Sequence, residues 1–146
     1  MIRKAKREDV PSIIGLIQEL AEYENAPNEV VNTVEELEHD LFDDKICSAF
    51  VAVVEEQIVG FALYYLSYST WKGKCIYLED LYVQPEYRKL KIGSQLFDQV
   101  VQVAKTLRVR RMDWQVLDWN EPAITFYQRK QAHLDPEWIN GRLFFD

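Results

Sequence analysis

The 146-residue sequence has few of the residues that build metal sites, disulfide frameworks or membrane spans. It contains two cysteines and two histidines, and none of them has the spacing of metal ligands, so we expect no metal centre. Cys47 and Cys75 are expected to be reduced thiols, which is typical of a cytoplasmic protein. The longest apolar run, residues 58–66, is far shorter than the ~20 residues of a membrane-spanning helix. No membrane association is therefore expected, and the first residues show no secretory signal.

The sequence also has fewer basic than acidic residues. Seventeen Lys and Arg residues stand against 24 Asp and Glu residues, which gives a net charge of −7. An acidic surface repels phosphate backbones, so nucleic-acid binding is disfavoured, whereas a small cationic substrate is compatible with it. The composition is otherwise that of an ordinary globular protein with one core, and a single domain over residues 1–146 is predicted.

Hydrophobic periodicity predicts a mixed α/β fold in the order β-α-α-β-β-β-α-β-α-β. The predicted strands cover residues 2–6, 48–54, 58–68, 74–83, 110–117 and 142–145. The predicted helices cover residues 8–23, a segment that begins at Thr33, residues 96–107 and residues 121–130. Residues 74–117 contain a strand, a turn, a long helix and another strand, which together predict one βαβ crossover.

A basic turn, residues 84–94, leads into the long helix of this crossover. Its sequence is QPEYRKLKIGS, in which Arg88, Lys89 and Lys91 lie close together. Unpaired N–H groups and the positive end of the helix dipole make such a turn suitable for binding a phosphate. Basic side chains add to that attraction. The alternative is a solvated turn that only caps the helix.

Two further groups of residues are candidates for chemistry. Glu79 and Asp80 interrupt an apolar strand, and because neighbouring strand residues face opposite sides, one carboxylate is expected among apolar side chains. Burial of an unpaired charge is costly, so the carboxylate is a general base, a cation ligand or an acceptor for backbone N–H groups. Asn120 caps a short helix that contains Tyr127, whose hydroxyl is either a general acid or part of the core.

With these features, the whole sequence resembles the GNAT superfamily of N-acetyltransferases. Residues 77–94 (YLEDLYVQPEYRKLKIGS) resemble its pyrophosphate motif, and residues 119–129 (WNEPAITFYQR) resemble its second coenzyme motif. Segments AEYE (21–24), GFALYY (60–65), YLED (77–80) and NEP (120–122) are similar to the spermidine/spermine branch, which includes thialysine acetyltransferases. The resemblance implies the GNAT fold and a homodimer. It also implies transfer of acetyl from acetyl-coenzyme A to a primary amine of a small cation, either a polyamine or a lysine-like amino acid.

The resemblance also assigns roles to individual residues. Tyr127 would protonate the departing coenzyme A thiolate, and Glu79 would help to deprotonate the amine through water, since an alkyl ammonium has a pKa of about 10. The acceptor would be lined by Tyr23, Glu24, Glu79 and Asp80. The coenzyme would contact a strand end, the basic turn and a helix cap, through Leu81, Tyr82, Val83, Arg88, Lys89, Leu90, Lys91, Ile92, Gly93, Ser94 and Asn120. A strand N–H would stabilise the oxyanion that forms at the thioester.

Two positions depart from the family pattern. Lys91 stands where the motif Arg/Gln-x-x-Gly-x-Gly/Ala has its first glycine, and Ser69 and Thr70 stand where the polyamine branch has an acidic residue. Lys91 would either turn its side chain to solvent or crowd the phosphate site. A non-catalytic GNAT-fold binding or regulatory protein, with impaired coenzyme binding, is therefore an alternative. A further alternative is acetylation of a protein N-terminus or lysine side chain.

Overall fold

The computed structural model describes residues 1–145, and the chain divides into two compact units. The first unit ends at Gln115, and the second begins at Val116. That both units form one domain stays a prediction. Within the part of the chain that is described, no helix is long and apolar enough to cross a membrane.

The first unit is built on one five-stranded mixed sheet. Its strands are β1 (Ile2–Lys4), β2 (Ser48–Val54), β3 (Gln57–Ser69), β4 (Gly73–Val83) and β5 (Arg111–Asp113). They lie in the order β1-β2-β3-β4-β5. The first four strands are antiparallel to their neighbours, and β5 is parallel to β4. The predicted mixed α/β class and the single βαβ crossover are confirmed.

The helices of the first unit are α1 (Val10–Tyr23), α2 (Val34–Glu38) and α3 (Ile92–Thr106). In α1, the apolar residues Val10, Ile13 and Leu16 are buried together with the sheet residues Phe61 and Tyr82 in one core cluster. Burial of such side chains is the main source of stability for helices of this length.

Local capping signals placed two helix starts correctly. Thr33 precedes α2, and its hydroxyl accepts a hydrogen bond from the Glu36 N–H at 3.1 Å. In the second unit, α4 (Glu121–Arg129) begins after Asn120, with a proline in its first turn. Residues Arg7–Asp9 form a 3₁₀ turn before α1, so the α-helix begins two residues later than predicted.

Two strand predictions need correction. The strand predicted over residues 110–117 is only Arg111–Asp113, because its pairing with β4 ends at Tyr77. The strand predicted over residues 142–145 is absent. The side chains of Leu143, Phe144 and Phe145 are more than 80% exposed, and an apolar segment does not form a strand without a partner to pair with.

Candidate active site

Most of the predicted site residues lie on or directly after β4, whose edge opens beyond Tyr77. β5 pairs with β4 only at Cys75, Ile76 and Tyr77. Between Leu78 and Val83, no strand among the described residues of the first unit pairs with this edge. Within the first unit, the main chain of β4 therefore has no strand partner on this side.

The peptide groups of β4 alternate between this open edge and β3. The Gln84 N–H donates to the Val59 carbonyl at 2.9 Å, so the main-chain groups of the preceding residue, Val83, point away from β3. Those of Leu81 do the same, because the direction repeats every two residues. The main chain of Tyr82 faces β3 instead. Leu81 and Val83 thus present hydrogen-bonding groups along the open edge.

A β-bulge places two carboxylates next to each other on β4. Leu63 pairs with Asp80 and Tyr64 pairs with Leu78, so Glu79 is an extra residue on β4. A bulge interrupts the alternation of side chains and re-aims them. The side chain of Glu79 is exposed, whereas Asp80 is half-buried.

These two carboxylates form an acidic cluster with Glu24, the residue that follows α1. Burial, together with the negative charges of Glu79 and Glu24, raises the pKa of Asp80 to about 7. Burial and the charge of Glu79 likewise raise the pKa of Glu24. Because burial and the charges of Glu79 and Glu24 disfavour its ionisation, the Asp80 carboxyl titrates near neutral pH. A bound cation would relieve this repulsion.

Aromatic rings adjoin the acidic cluster. Burial and the charge of Glu79 raise the pKa of Tyr65, whose ring stacks on Tyr77 at a centroid distance of 5.4 Å. Tyr23 is the last residue of α1 and precedes Glu24 directly in the chain. The structure therefore brings Glu24, Glu79 and Asp80 together and places Tyr23 beside them in sequence.

Polar contacts that the sequence patterns did not reveal fasten α1 to the end of β4. The Tyr82 hydroxyl donates to Glu19 Oε1 at 3.0 Å, and Gln84 Nε2 donates to Glu19 Oε2 at 3.1 Å. Burial and the hydrogen bond to Glu19 raise the pKa of Tyr82 to about 12. Glu19 lies more than 60 residues from both partners in the chain, so no local pattern signals this contact.

The basic turn forms a 3₁₀ helix, Pro85–Leu90, followed by α3. Lys91 joins the two helices with φ 61° and ψ 24°, which is the left-handed conformation that glycine adopts most readily. Its side chain is exposed, as are those of Lys89 and Leu90. The turn thus keeps the backbone shape that the family motif achieves with glycine. Gly93 and Ser94 lie in the first turn of α3, where main-chain N–H groups point away from the helix. The Ile92 side chain is buried.

Arg88 is the one basic residue of the turn whose side chain packs back onto the protein. Its Nε donates to the Val83 carbonyl at 2.8 Å. Its guanidinium carbon lies 5.6 Å from the centroid of the Tyr23 ring and 5.5 Å from that of the Tyr82 ring. Both distances are within the range of cation–π attraction. Arg88 therefore touches the open edge of β4 and the end of α1 at the same time.

Asn120 and Tyr127 lie in the second unit. The Asn120 Oδ1 accepts a hydrogen bond from the Ala123 N–H at 3.4 Å and caps α4. Tyr127 is buried, and its ring meets that of Phe126 edge-on at 5.3 Å. Their contacts with the coenzyme stay a prediction. No group of three or more His, Cys, Asp or Glu side chains in residues 1–145 is arranged to hold a metal ion.

The comparisons with known proteins agree with this geometry. Residues 15–132 match the acetyltransferase (GNAT) family. The chain is 43% identical over 137 residues to the thialysine N-epsilon-acetyltransferase of Bos taurus, covering 88% of this chain and 81% of that one. It is 37% identical to the human spermidine/spermine N(1)-acetyltransferase-like protein 1, covering 90% of this chain and 20% of that one. A possible acetyltransferase from Clostridium difficile 630 has the same fold, with a TM-score of 0.83, 21% identity and coverage of 99% and 98%.

The chain therefore belongs to the GNAT acetyltransferase family, whose members use an acyl-coenzyme A cosubstrate. It is an N-acetyltransferase of the branch that contains the thialysine and spermidine/spermine enzymes. The family, fold and enzyme class predicted from the sequence are confirmed.

Proposed function

We propose that this enzyme transfers the acetyl group of acetyl-coenzyme A to a primary amine of a small cation, either a polyamine or a lysine-like amino acid. The acidic cluster of Glu24, Glu79 and Asp80 is the observation that carries this proposal. Burial and neighbouring negative charge raise the pKa of Asp80 and of Glu24, and a cation that binds between these carboxylates would relieve the repulsion. The names of the relatives, which refer to thialysine and to spermidine/spermine, point to the same class of acceptor.

The residues divide the work between donor and acceptor. The outward-facing peptide groups of Leu81 and the N–H of Val83 would align the acetyl-pantetheine arm, and the N–H groups of residues 89–94 would hold the pyrophosphate. Glu79, the exposed residue of the bulge, would accept a proton from the ammonium through water. The free amine then attacks the thioester carbonyl carbon, the C–S bond breaks, and the thiolate takes a proton from Tyr127.

The side chain of Lys91 favours catalysis over the non-catalytic alternative. That alternative required the lysine to obstruct the phosphate site. Lys91 instead adopts the left-handed conformation with an exposed side chain, so the main chain of the turn keeps its shape. An exposed ammonium beside a phosphate site adds attraction.

The proposal is tested by measuring thiol release from acetyl-coenzyme A with thialysine, lysine, spermidine and a peptide that has a free N-terminus. We expect turnover with at least one small amine and a higher kcat/KM than with the peptide. Coenzyme A binding is measured in parallel by calorimetry. Binding without turnover of any small amine would reject the acceptor class, and a failure to bind at millimolar coenzyme A would reject the donor.

Tyr127→Phe tests the proton-transfer role of the second unit. Because the variant keeps the ring and loses only the hydroxyl, we expect kcat to fall by roughly ten- to a thousandfold with the coenzyme A dissociation constant nearly unchanged. Tyr87→Phe, in the 3₁₀ turn, is the matched control. An unchanged kcat for Tyr127→Phe would remove this residue from the mechanism.

We also propose that the enzyme is a homodimer. Apolar side chains of the C-terminal segment are 77–95% exposed: Trp138, Ile139, Leu143, Phe144 and Phe145. A cluster of this kind is typical of a surface that another protein covers. Analytical ultracentrifugation at micromolar concentration should give twice the chain mass, and Leu143→Asp combined with Phe145→Asp should give a monomer. A wild-type monomer would contradict the proposal.

A further inference from the structure

The acceptor and coenzyme parts of the proposed site meet at one side chain, that of Arg88. On the coenzyme side, Arg88 directly precedes the segment whose N–H groups would hold the pyrophosphate. Its Nε also donates a hydrogen bond to the Val83 carbonyl at 2.8 Å, on the open edge of β4. On the acceptor side, its guanidinium lies against the ring of Tyr23, and Tyr23 is followed by Glu24 of the acidic cluster.

We infer that Arg88 is a positioning residue that couples the binding of coenzyme to the binding of the amine. The inference rests on the proposed function, since it requires both ligands to bind this site. Arg88 transmits the coupling because it holds the basic turn, the end of β4 and the last residue of α1 in one fixed arrangement.

The contacts of α1 explain why this one side chain has that effect. One turn before Tyr23, Glu19 is fixed by hydrogen bonds from Tyr82 and Gln84. The last turn of α1 extends beyond this anchor, and Tyr23 is 39% exposed. The contact of its ring with the Arg88 guanidinium ties the last turn to the basic turn, and a shift of this contact would change the distance from Glu24 to the carboxylates on β4.

Coupling follows from the order in which these groups become fixed. A coenzyme that immobilises the basic turn also immobilises Arg88, and Arg88 then holds Tyr23 and Glu24 in place. An amine that arrives next meets an acidic cluster that is already arranged, so less conformational entropy is lost on binding. The effect is reciprocal, because a coupling free energy acts equally on both ligands.

Calorimetry with coenzyme A and thialysine tests this directly, because without an acetyl group the two ligands bind but do not react. For the wild type, we expect saturating thialysine to lower the dissociation constant of coenzyme A by about five- to twentyfold. Spermidine in place of thialysine provides a second arm.

Arg88→Lys keeps the positive charge, but one ammonium cannot both donate to the Val83 carbonyl and lie flat against the two tyrosine rings. We expect the coupling to fall below about twofold. Tyr23→Leu should produce the same loss, and the double variant should lose nothing more. Tyr23 and Arg88 are both exposed, so thermal unfolding should show that each variant folds.

Lys89→Gln is the matched control. It removes a basic residue of the same turn, so we expect weaker coenzyme A binding with the coupling factor of the wild type. Wild-type coupling that persists in Arg88→Lys and Tyr23→Leu would overturn the inference, and so would two ligands that bind the wild type independently. A wild type that binds no coenzyme A would instead contradict the proposed function itself.

Discussion

The middle of β4 and the turn that follows it are both rich in charge, but they use it in different ways. In the middle of the strand, Glu79 is exposed and Asp80 is half-buried, and desolvation and repulsion raise the pKa of Asp80 to about 7. In the turn, Lys89 and Lys91 are exposed, and the main chain supplies the geometry. A carboxyl group has a pKa near neutrality only where burial or nearby charge raises it, whereas lysine side chains can attract a phosphate from the solvent-exposed surface.

The largest effect on catalysis is expected from a change at Glu79. Glu79→Gln keeps the size of the side chain and removes the proton acceptor, so kcat/KM for the amine should fall by about a hundred- to a thousandfold. The KM for acetyl-coenzyme A should change little, because the turn is untouched. Steady-state thiol release with each substrate varied in turn separates the two parameters.

Glu35→Gln is the matched control for this variant, since Glu35 is an exposed acid in α2 and lies outside the basic turn. Its kinetics should equal those of the wild type. If Glu79→Gln raised the KM for acetyl-coenzyme A as strongly as it lowered turnover, the assignment of Glu79 to the amine and of the basic turn to the coenzyme would be wrong.

Asp80 should give a smaller, pH-dependent effect on stability. Its pKa is about 7 in the folded protein and 3.8 ordinarily, so in this window the folded state holds a proton that the unfolded state has released. The contribution of Asp80 to the free energy of unfolding therefore falls as the pH rises from about 4 to about 7. Asp80→Asn removes this loss and should be more stable than the wild type by ~2–4 kcal/mol at pH 8, with little difference at pH 4.

Urea unfolding at pH 4, 6 and 8 measures the pH dependence. A stability difference between Asp80→Asn and the wild type that is the same at every pH would show that Asp80 does not retain its proton near neutrality.

The sequence alone predicted the structural features that depend on residues close together in the chain. The bounds of β2 and the caps of α2 and α4 follow from local patterns, and they are confirmed. The acidic pair was visible because charges interrupt an apolar strand. The bulge at Glu79 was not, because it depends on the register of β3 against β4.

The errors have the same physical origin. Residues 143–145 are consecutive apolar residues, as in many buried strands, but a strand forms only where another strand pairs with it. The contacts of Glu19 and Arg88 join α1 to β4 across more than 60 residues of chain. Such contacts depend on how the helix packs against the sheet, which hydrophobic periodicity predicts only as a buried face and not as particular polar pairs.

The smallest effect is expected at Lys91, where charge and backbone shape can be separated. A non-glycine residue at φ 61° destabilises the folded state by ~1–2 kcal/mol. Replacement by glycine removes this strain but costs ~0.5–1 kcal/mol, because the unfolded chain becomes more flexible. Lys91→Gly should therefore raise the free energy of unfolding by only about 0.5 kcal/mol, whereas loss of the ammonium should weaken coenzyme A binding.

Lys91→Asn keeps a residue that tolerates this conformation without the charge. If both variants weaken coenzyme A equally, and the difference from wild type disappears at high salt, charge is what the lysine adds. If only Lys91→Asn weakens it, the site needs the close approach that glycine permits.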